Sequence, residues 1–542
     1  MNIMKKSRLI LITSLILSIL LLSVPFLFAS AESYTDGSVT YTLILSGSEY
    51  SISAVSVSGT DKVDIEIPSE YNGLPVTRVR ESVFRSQSQI SSIYIPASIK
   101  QIDKYAFSSM ENLISVEFEQ SDTTVKLGQN AFYYNLKLET LNIPKTSAIP
   151  ASCFESCQSL KSVTIPETVT SIGVQAFSGC SSIGSVNIPA AVTHIGAKAF
   201  YNCSSVTAYT VTSGNTGYKA ENGVLYTYDG TTLIQYPLGK SDTSFTVPSS
   251  AVTIGNGAFG FSKLQKVTLP QGVETIEEDA FAYSTSLSSI NLPQGLTVIG
   301  VRAFSHCSAL KTITIPSSVT DFEEAFSSSG LESVTLSSGL KTVSPHAFSY
   351  CASLKSVVIP GTVESIGFAA FYNCTALTTA TVPASVTQIG NQAFGNCPNL
   401  TIIAADGTAA ASYADSAGIT RDNPNKNDGI ILSAPNGTTV DYKKKVKITA
   451  SASGLPSGYK VQILEGSTVR ESDSSSVTYT SGELTGEKTF YARVVDSNNK
   501  QAYYTNGNAI QKEIKVSVNA GIFQKIIAFF RSIFGGQPTV TL

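Results

Sequence analysis

Between Gln158 and Cys203 the chain lays down one apolar and polar pattern twice: QSLKSVTIPETVTSIGVQAFSGC, then SSIGSVNIPAAVTHIGAKAFYNC. Superposed, the two lines share an apolar residue at Leu160 and Ile183 and a Val at Val163 and Val186, then Ile-Pro, Val-Thr, Ile-Gly, Ala-Phe and a Cys three residues past the Phe. Val163 and Ile165 alternate with Ser162 and Thr164, so a short strand is predicted with the first pair inward and the second outward. Pro166 has no N–H and ends the ladder there. Gly173 is expected to serve a turn with positive φ, as are Gly196, Gly255, Gly300, Gly367 and Gly390 at the same place. Ala-Phe supplies a small residue for close approach and a large one for the interior. A unit that repeats this closely cannot bury its apolar face alone, so it must stack on a neighbour.

The Phe marks each unit: Phe84, Phe107, Phe132, Phe154, Phe177 and Phe200, then Phe259, Phe281, Phe304, Phe326, Phe348, Phe371 and Phe394. That is 13 units at intervals of 22 to 25 residues, broken once by a jump of 59. The prediction is an α/β-type solenoid with little helix, occupying 81–421, whose strands form one parallel sheet. Residues 32–80 alternate apolar and polar and read as an N-terminal β cap. The jump holds an insertion, 213–242, in which two alternating runs flank Asp229-Gly230 and predict a hairpin. Its Tyr218, Tyr226, Tyr228 and Tyr236 make it a candidate partner-binding surface. A short Ala-rich helix ending near Gly418 reads as the C-terminal cap, 404–421.

Beyond the array the pattern changes. Residues 422–429 are polar and turn-rich and read as a linker. Residues 430–518 carry several short alternating runs and no Ala-Phe, which predicts a small antiparallel β-sandwich of immunoglobulin type. The tail 519–542 contains GIFQKIIAFFRSIF, an amphipathic helix that would rise about 21 Å against the roughly 30 Å of a bilayer core, so it does not span one. Its apolar face, with Ile522, Phe523, Ile526, Phe530 and Phe534, suits docking on protein or peripheral membrane contact.

Lys5, Lys6 and Arg8, the apolar Leu9 to Phe28 and the small-residue Ala29-Ser30-Ala31 read as a signal peptide, 1–31, cleaved after Ala31, with an uncleaved signal-anchor as the alternative. Cleavage would move the net charge from −3 to −6 by removing three cations and no anion. A mildly acidic exported chain without clustered Lys and Arg is no nucleic-acid binder.

Seven of the eight cysteines fall three residues past a Phe, which reads as a ladder of buried free thiols acting as small apolar fillers, with no disulfides expected. The three histidines sit at variable places, and no metal or nucleophile motif is present, so no catalytic residue, metal or cofactor is expected. The outward strand positions are a nearly neutral field of hydroxyls and amides, and Ser162, Thr164, Ser185, Asn187, Ser289, Asn291, Thr312, Thr314, Ser333 and Thr335 are the partner-binding candidates. A stripe of tyrosines just past the Phe anchors is a rival edge.

The segment L-x-x-[VI]-x-[IL] at the head of each unit matches the strand signature of a leucine-rich repeat. With the P-x-x-V-x-x-I-G-x-x-A-F-x-x-C lines, clearest at 166–180, 189–203, 293–307, 360–374 and 383–397, it makes residues 35 to 421 resemble the BspA-like leucine-rich repeat surface proteins of bacteria. That resemblance implies a non-enzymatic, secreted or cell-surface bacterial protein with an adhesin-like role toward a protein or cell-surface ligand. The alternatives are a spacer or envelope-associated scaffold anchored through its C-terminal region and, less in keeping with the residues, an enzyme acting on wall or host glycans.

Overall fold

The computed structural model describes residues 31–423 and a set of strands between Ile431 and Val518. The signal sequence, most of the linker and the tail helix with Ile522, Phe523, Ile526, Phe530 and Phe534 lie outside the described residues. The chain divides into two compact units, Met1–Arg421 and Asp422–Leu542.

The first unit is a solenoid, and we number its coils 1 to 13 by their Phe. Most coils place two short strands against their neighbours, so the expectation of a single parallel sheet is corrected. One ladder uses the L-x-x-V-x-I segment: Ser185–Ile188 pairs parallel with Ala208–Val211, and Thr312–Ile315 with Ser333–Leu336. The other uses the two residues before the Gly: Ala148–Ile149, Ser171–Ile172 and His194–Ile195 pair in parallel. Val169 and Ile172 are both buried, because the chain returns across the coil interior with the same inward demand.

The Gly of the repeat has a different job from the one expected. Gly173, Gly196, Gly255, Gly300, Gly367 and Gly390 do not adopt positive φ. They are small because the preceding coil's backbone lies against them: a Cβ on Gly173 would stand 2.4 Å from Ala151 N, and one on Gly390 2.4 Å from Phe368 N. Positive φ falls instead two residues before and two residues after each Phe, as at Gln175 and Gly179 around Phe177, or Arg302 and His306 around Phe304. None of these positions carries a β-branched residue, for which the left-handed region is most strained.

These left-handed steps turn the backbone N–H groups along the array axis. Gln175, Phe177 and Gly179 donate to the carbonyls of Ala197, Ala199 and Tyr201 in the next coil at 3.1, 2.8 and 2.8 Å. The Phe rings stack beneath this ladder, centroids 4.9 to 5.6 Å apart and planes within 20°, from Phe84 to Phe200 and again from Phe259 to Phe394. Each such pair contributes about 0.5–1.5 kcal/mol beyond the area it buries.

The cysteines belong to the same turn and are more than apolar fillers. All are buried and unpaired. Cys157, Cys180, Cys203, Cys307, Cys351, Cys374 and Cys397 each donate Sγ–H to the carbonyl of the previous coil's Phe, at 3.1 to 3.3 Å. Two of the coils without Cys use a different donor for this: Asn135 Nδ2 reaches Phe107 O at 2.9 Å, and Ser284 Oγ reaches Phe259 O at 2.7 Å. Burial pushes the thiols of Cys157, Cys203 and Cys307 up to about 12, and those of Cys351 and Cys397 to about 11.

Both ends of the stack are capped. At the C-terminus the helix Ala409–Ala417 starts at Thr408, whose side chain accepts from Ala411 N, and ends at left-handed Gly418. Tyr413 from this helix meets Phe394 edge-on, and its Oη accepts the Phe394 N–H that a further coil would otherwise receive. At the N-terminus three antiparallel strands, Ala31–Asp36, Val39–Ser46 and Glu49–Val57, place Tyr41 edge-on to Phe84.

The insertion is more than one hairpin. Tyr218–Glu221 and Val224–Thr227 pair across Asn222-Gly223, both at positive φ, and Val224–Thr227 pairs onward with Thr232–Gln235 across Asp229-Gly230. The last strand then pairs parallel with Thr253–Ile254 and so rejoins the array. Leu233 matches Ile254 in that pairing, and Tyr236 N donates to Ala258 O, the bond a Phe makes elsewhere. Tyr236 also stacks on Phe259 at 5.5 Å. Leu233-Ile234-Gln235-Tyr236 therefore covers in four residues what Ile254–Phe259 covers in six, a shortened coil whose turn lacks two residues. Leu225 packs into the core of coils 1–6, whereas Val224 and Tyr226 pack into that of coils 7–13.

In the second unit Ile431–Ser433, Lys447–Ser451 and Ser476–Thr480 form one antiparallel sheet. Lys460–Glu465, Thr468–Asp473, Lys488–Val495 and Gln511–Val518 form another, which Thr439–Val440 joins in parallel, against the all-antiparallel expectation.

Two measurements test these assignments. Gly173→Ala should cost about 2 kcal/mol or more in urea unfolding, because backbone rather than a flexible side chain must give way, whereas Gly184→Ala, with nothing within 4 Å, should be close to neutral. For the thiols, the folded state holds its protons more tightly than the unfolded chain, so their stabilisation is full below about pH 8.5 and is lost as pH rises toward the folded values. Between pH 9 and 10 each should remove about 1.4 kcal/mol per pH unit. Cys180→Ser keeps a donor, as Ser284 does, and should flatten that slope by about one thiol's share.

Candidate binding surfaces of the array

The ladder with L-x-x-V-x-I turns its alternate side chains outward because Val, Ile and Leu are taken by the core. Thr312, Thr314, Ser333 and Thr335 stand exposed on the neighbouring strands Thr312–Ile315 and Ser333–Leu336, which continue to Ser356–Val358. Among the described residues none of these hydroxyls has a hydrogen-bond partner. Ser185 and Ser289 are also exposed on strands, while Ser162 and Thr164 are exposed on a stretch that forms no strand.

The two amides in this set are already engaged. Asn187 donates to Thr212 Oγ1 and accepts from Thr210 Oγ1, both at 2.9 Å. Asn291 accepts from Leu269 N and donates to Leu269 O, both at 3.0 Å, extending the ladder where the strand Ser289–Ile290 stops. Asn142 does the same for Phe118 past Thr140–Leu141. Asn291 is thus a structural clip.

The insertion does not present the tyrosine surface expected of it. Tyr218, Tyr226 and Tyr236 are buried, and only Tyr228 of the four is exposed. Tyr218 Oη accepts Ile195 N at 2.7 Å, and Tyr236 Oη donates to Asp242 at 3.1 Å. Alternation misleads here because the strand Val224–Thr227 lies between two cores and is buried on both sides.

A shallow hollow on the strand face is lined by Ser333, Thr335, Ser356, Val358, Pro360 and Gly361. Val358 is 64% exposed, an apolar residue at an outward place that Thr holds in half of the other coils. At the head of these strands Glu332 lies between Lys355 (2.7 Å) and Lys311 (3.9 Å), and the Lys355 hydrogen bond holds its carboxyl below the usual range. The charges nearest the hollow are thus paired with one another.

The turn edge carries the rival stripe. Phe261, Tyr283 and His306 stack in sequence at 4.9 and 4.5 Å with nearly parallel planes, and Tyr201 meets Phe261 edge-on. Tyr134, Tyr283 and Tyr350 are each about half exposed. Beside the stack, Lys198 binds Glu278 and Asp279, and Arg302 binds Glu278, Asp279 and Glu324. The histidines are dispersed along the array, and among the described residues no three His, Cys, Asp or Glu converge on a metal-sized site.

A sequence model of the BspA type leucine-rich repeat region matches in six copies, over 77–211, 239–355 and 341–412, more than half of the chain. A search of curated proteins found no match. Among solved structures, a leucine-rich repeat protein from Eubacterium ventriosum is similar at 26% identity and a TM-score of 0.50, over 68% of this chain and 95% of that one. The pneumococcal vaccine antigen PcpA shares the fold at 22% identity and a TM-score of 0.52, over 72% of this chain and 98% of its own. The repeat, its stacking and these matches agree: the chain belongs to the BspA type leucine-rich repeat family.

Proposed function

We propose that this chain is a non-enzymatic binding protein of the bacterial exterior, secreted or held at the cell surface, and that its array captures a protein or cell-surface ligand in an adhesin-like manner. The observation that carries the reading is the patch on coils 10 to 12. Exposed hydroxyls of Thr312, Thr314, Ser333 and Thr335 stand in parallel register without partners among the described residues, beside exposed Val358. A solenoid offers partners an extended, rigid face, and a field of fixed hydroxyls around an apolar contact recognises by shape and hydrogen bonding rather than by charge. Family membership and the basic-apolar-small leader support display outside the cell. The buried thiols, with pKa values raised far above neutrality, offer no nucleophile, which supports a role without catalysis.

The test uses the chain from Glu32 onward, immobilised and exposed to a defined panel of extracellular matrix proteins and purified bacterial surface proteins. Thr314→Lys with Thr335→Lys should weaken retention of the bound protein at least tenfold while changing stability by no more than about 0.5 kcal/mol. Retention unchanged by this pair but lost on Tyr283→Ser would move the site to the turn edge. No retention of any panel member would contradict the reading.

A further inference from the structure

The shortened coil leaves the turn of coil 6 without its usual receiver. In coils 5 and 7 the residue two before the Phe, and the Phe itself, donate onward: Gln175 to Ala197 and Phe177 to Ala199, then Gly257 to Glu278 and Phe259 to Ala280, at 2.7 to 3.1 Å. In coil 6 those groups are the N–H of Lys198 and Phe200, and among the described residues neither has a hydrogen-bond partner. Phe200 is 1% exposed, so its N–H is a buried donor of the kind that native structures almost always satisfy.

Both residues line a cavity of about 220 Å³ between coil 6, the strand Thr232–Gln235 and the turn of coil 7. It lies where the two residues omitted between Ile234 and Gln235 would pass, at the level of Asn256-Gly257 in the next coil. Its volume exceeds the roughly 30 Å³ that one water occupies in the liquid. Across the cavity Glu277 binds Asn256 N and Nδ2 through Oε2, and its Oε1 has no partner among the described residues. Lys198 Nζ contributes no free positive charge, because it is bound to Asp279 at 2.5 Å and Glu278 at 3.1 Å.

Two amide donors on one wall and a carboxylate acceptor on the other match a group that both accepts and donates. An anion would meet Glu277 with no uncompensated cation to offset it. We propose that this cavity binds an uncharged peptide amide, supplied as a short backbone segment of a partner protein that restores the turn the chain omits. Its carbonyl accepts from Phe200 N–H and its N–H donates to Glu277. Such a segment would join coils 6 and 7 by the bonds that link other neighbours, a form of main-chain augmentation.

The probe is the blocked dipeptide acetyl-asparaginyl-glycinamide, matching the residues at this level in coil 7, added at millimolar concentration to the chain from Glu32 onward. Amide hydrogen exchange is read for the segment 196–203 and, as internal reference, 173–180. Without the probe the coil 6 turn should exchange at least tenfold faster than the coil 5 turn, and the probe should slow it at least fivefold while acetate at equal concentration does not. Equal slowing by acetate would make this an anion site and overturn the proposal, as would no slowing by the dipeptide. An insertion of Asn-Gly between Ile234 and Gln235 should protect the turn by itself and abolish the probe's effect. Should that variant fail to fold, a crystal of the unaltered chain soaked in the probe decides: the dipeptide on Phe200 N and Glu277 supports the proposal, and ordered water alone overturns it.

Discussion

The backbone N–H groups around each Phe point along the array and can be met only by the next coil. Most of the repeat follows from that constraint. The left-handed residues on either side of the Phe aim those donors, the Gly lets adjacent backbones approach within bonding distance, and the stacked ring fills the space beneath. The thiol past the Phe works in the opposite direction, donating back to the preceding coil's Phe carbonyl. The Gly, the Phe and the thiol of the repeat therefore serve contacts between coils, which is why a single unit has no stable form. The same constraint explains the C-terminal cap, where a tyrosine hydroxyl substitutes for a carbonyl of a coil that does not follow.

This division of labour bears on function. Residues that recur in every unit are committed to the interior, so what distinguishes one array from another must lie at positions the stacking leaves free. On coils 10 to 12 those positions hold hydroxyls and one exposed valine, with neighbouring lysines and glutamates pairing among themselves. Some outward residues are not free in this sense: Asn142 and Asn291 hold the preceding strand's backbone, and substituting them would change the scaffold as much as the surface.

The unit length, the register of the Phe, the inward and outward faces of the main strand and the capping helix could be read directly from the pattern, because burial and alternation determine them. Other features could not. The second parallel ladder uses only two residues per coil, too few to show a period. The role of the repeat's Gly is not legible in the sequence, because a close backbone approach and a positive φ both select Gly. Alternation implies one wet face for Tyr218, Tyr226 and Tyr236, whereas a strand between two cores has none and these three are buried. The shortened coil leaves no mark in the sequence: Leu233-Ile234-Gln235-Tyr236 keeps the places of Ile, Gly, Ala and Phe without keeping any of the letters.

If coil-to-coil bonding at the turns is what makes the array cooperative, cooperativity should break where that bonding breaks. Native-state hydrogen exchange across a urea series, read at the turns around Phe84 to Phe200 and around Phe259 to Phe394, tests this directly. The account predicts that protection is lost together within each group but at two separate urea concentrations, with the boundary between Phe200 and Tyr236. Loss of protection at one shared concentration across all thirteen turns, or a boundary elsewhere in the array, would contradict it.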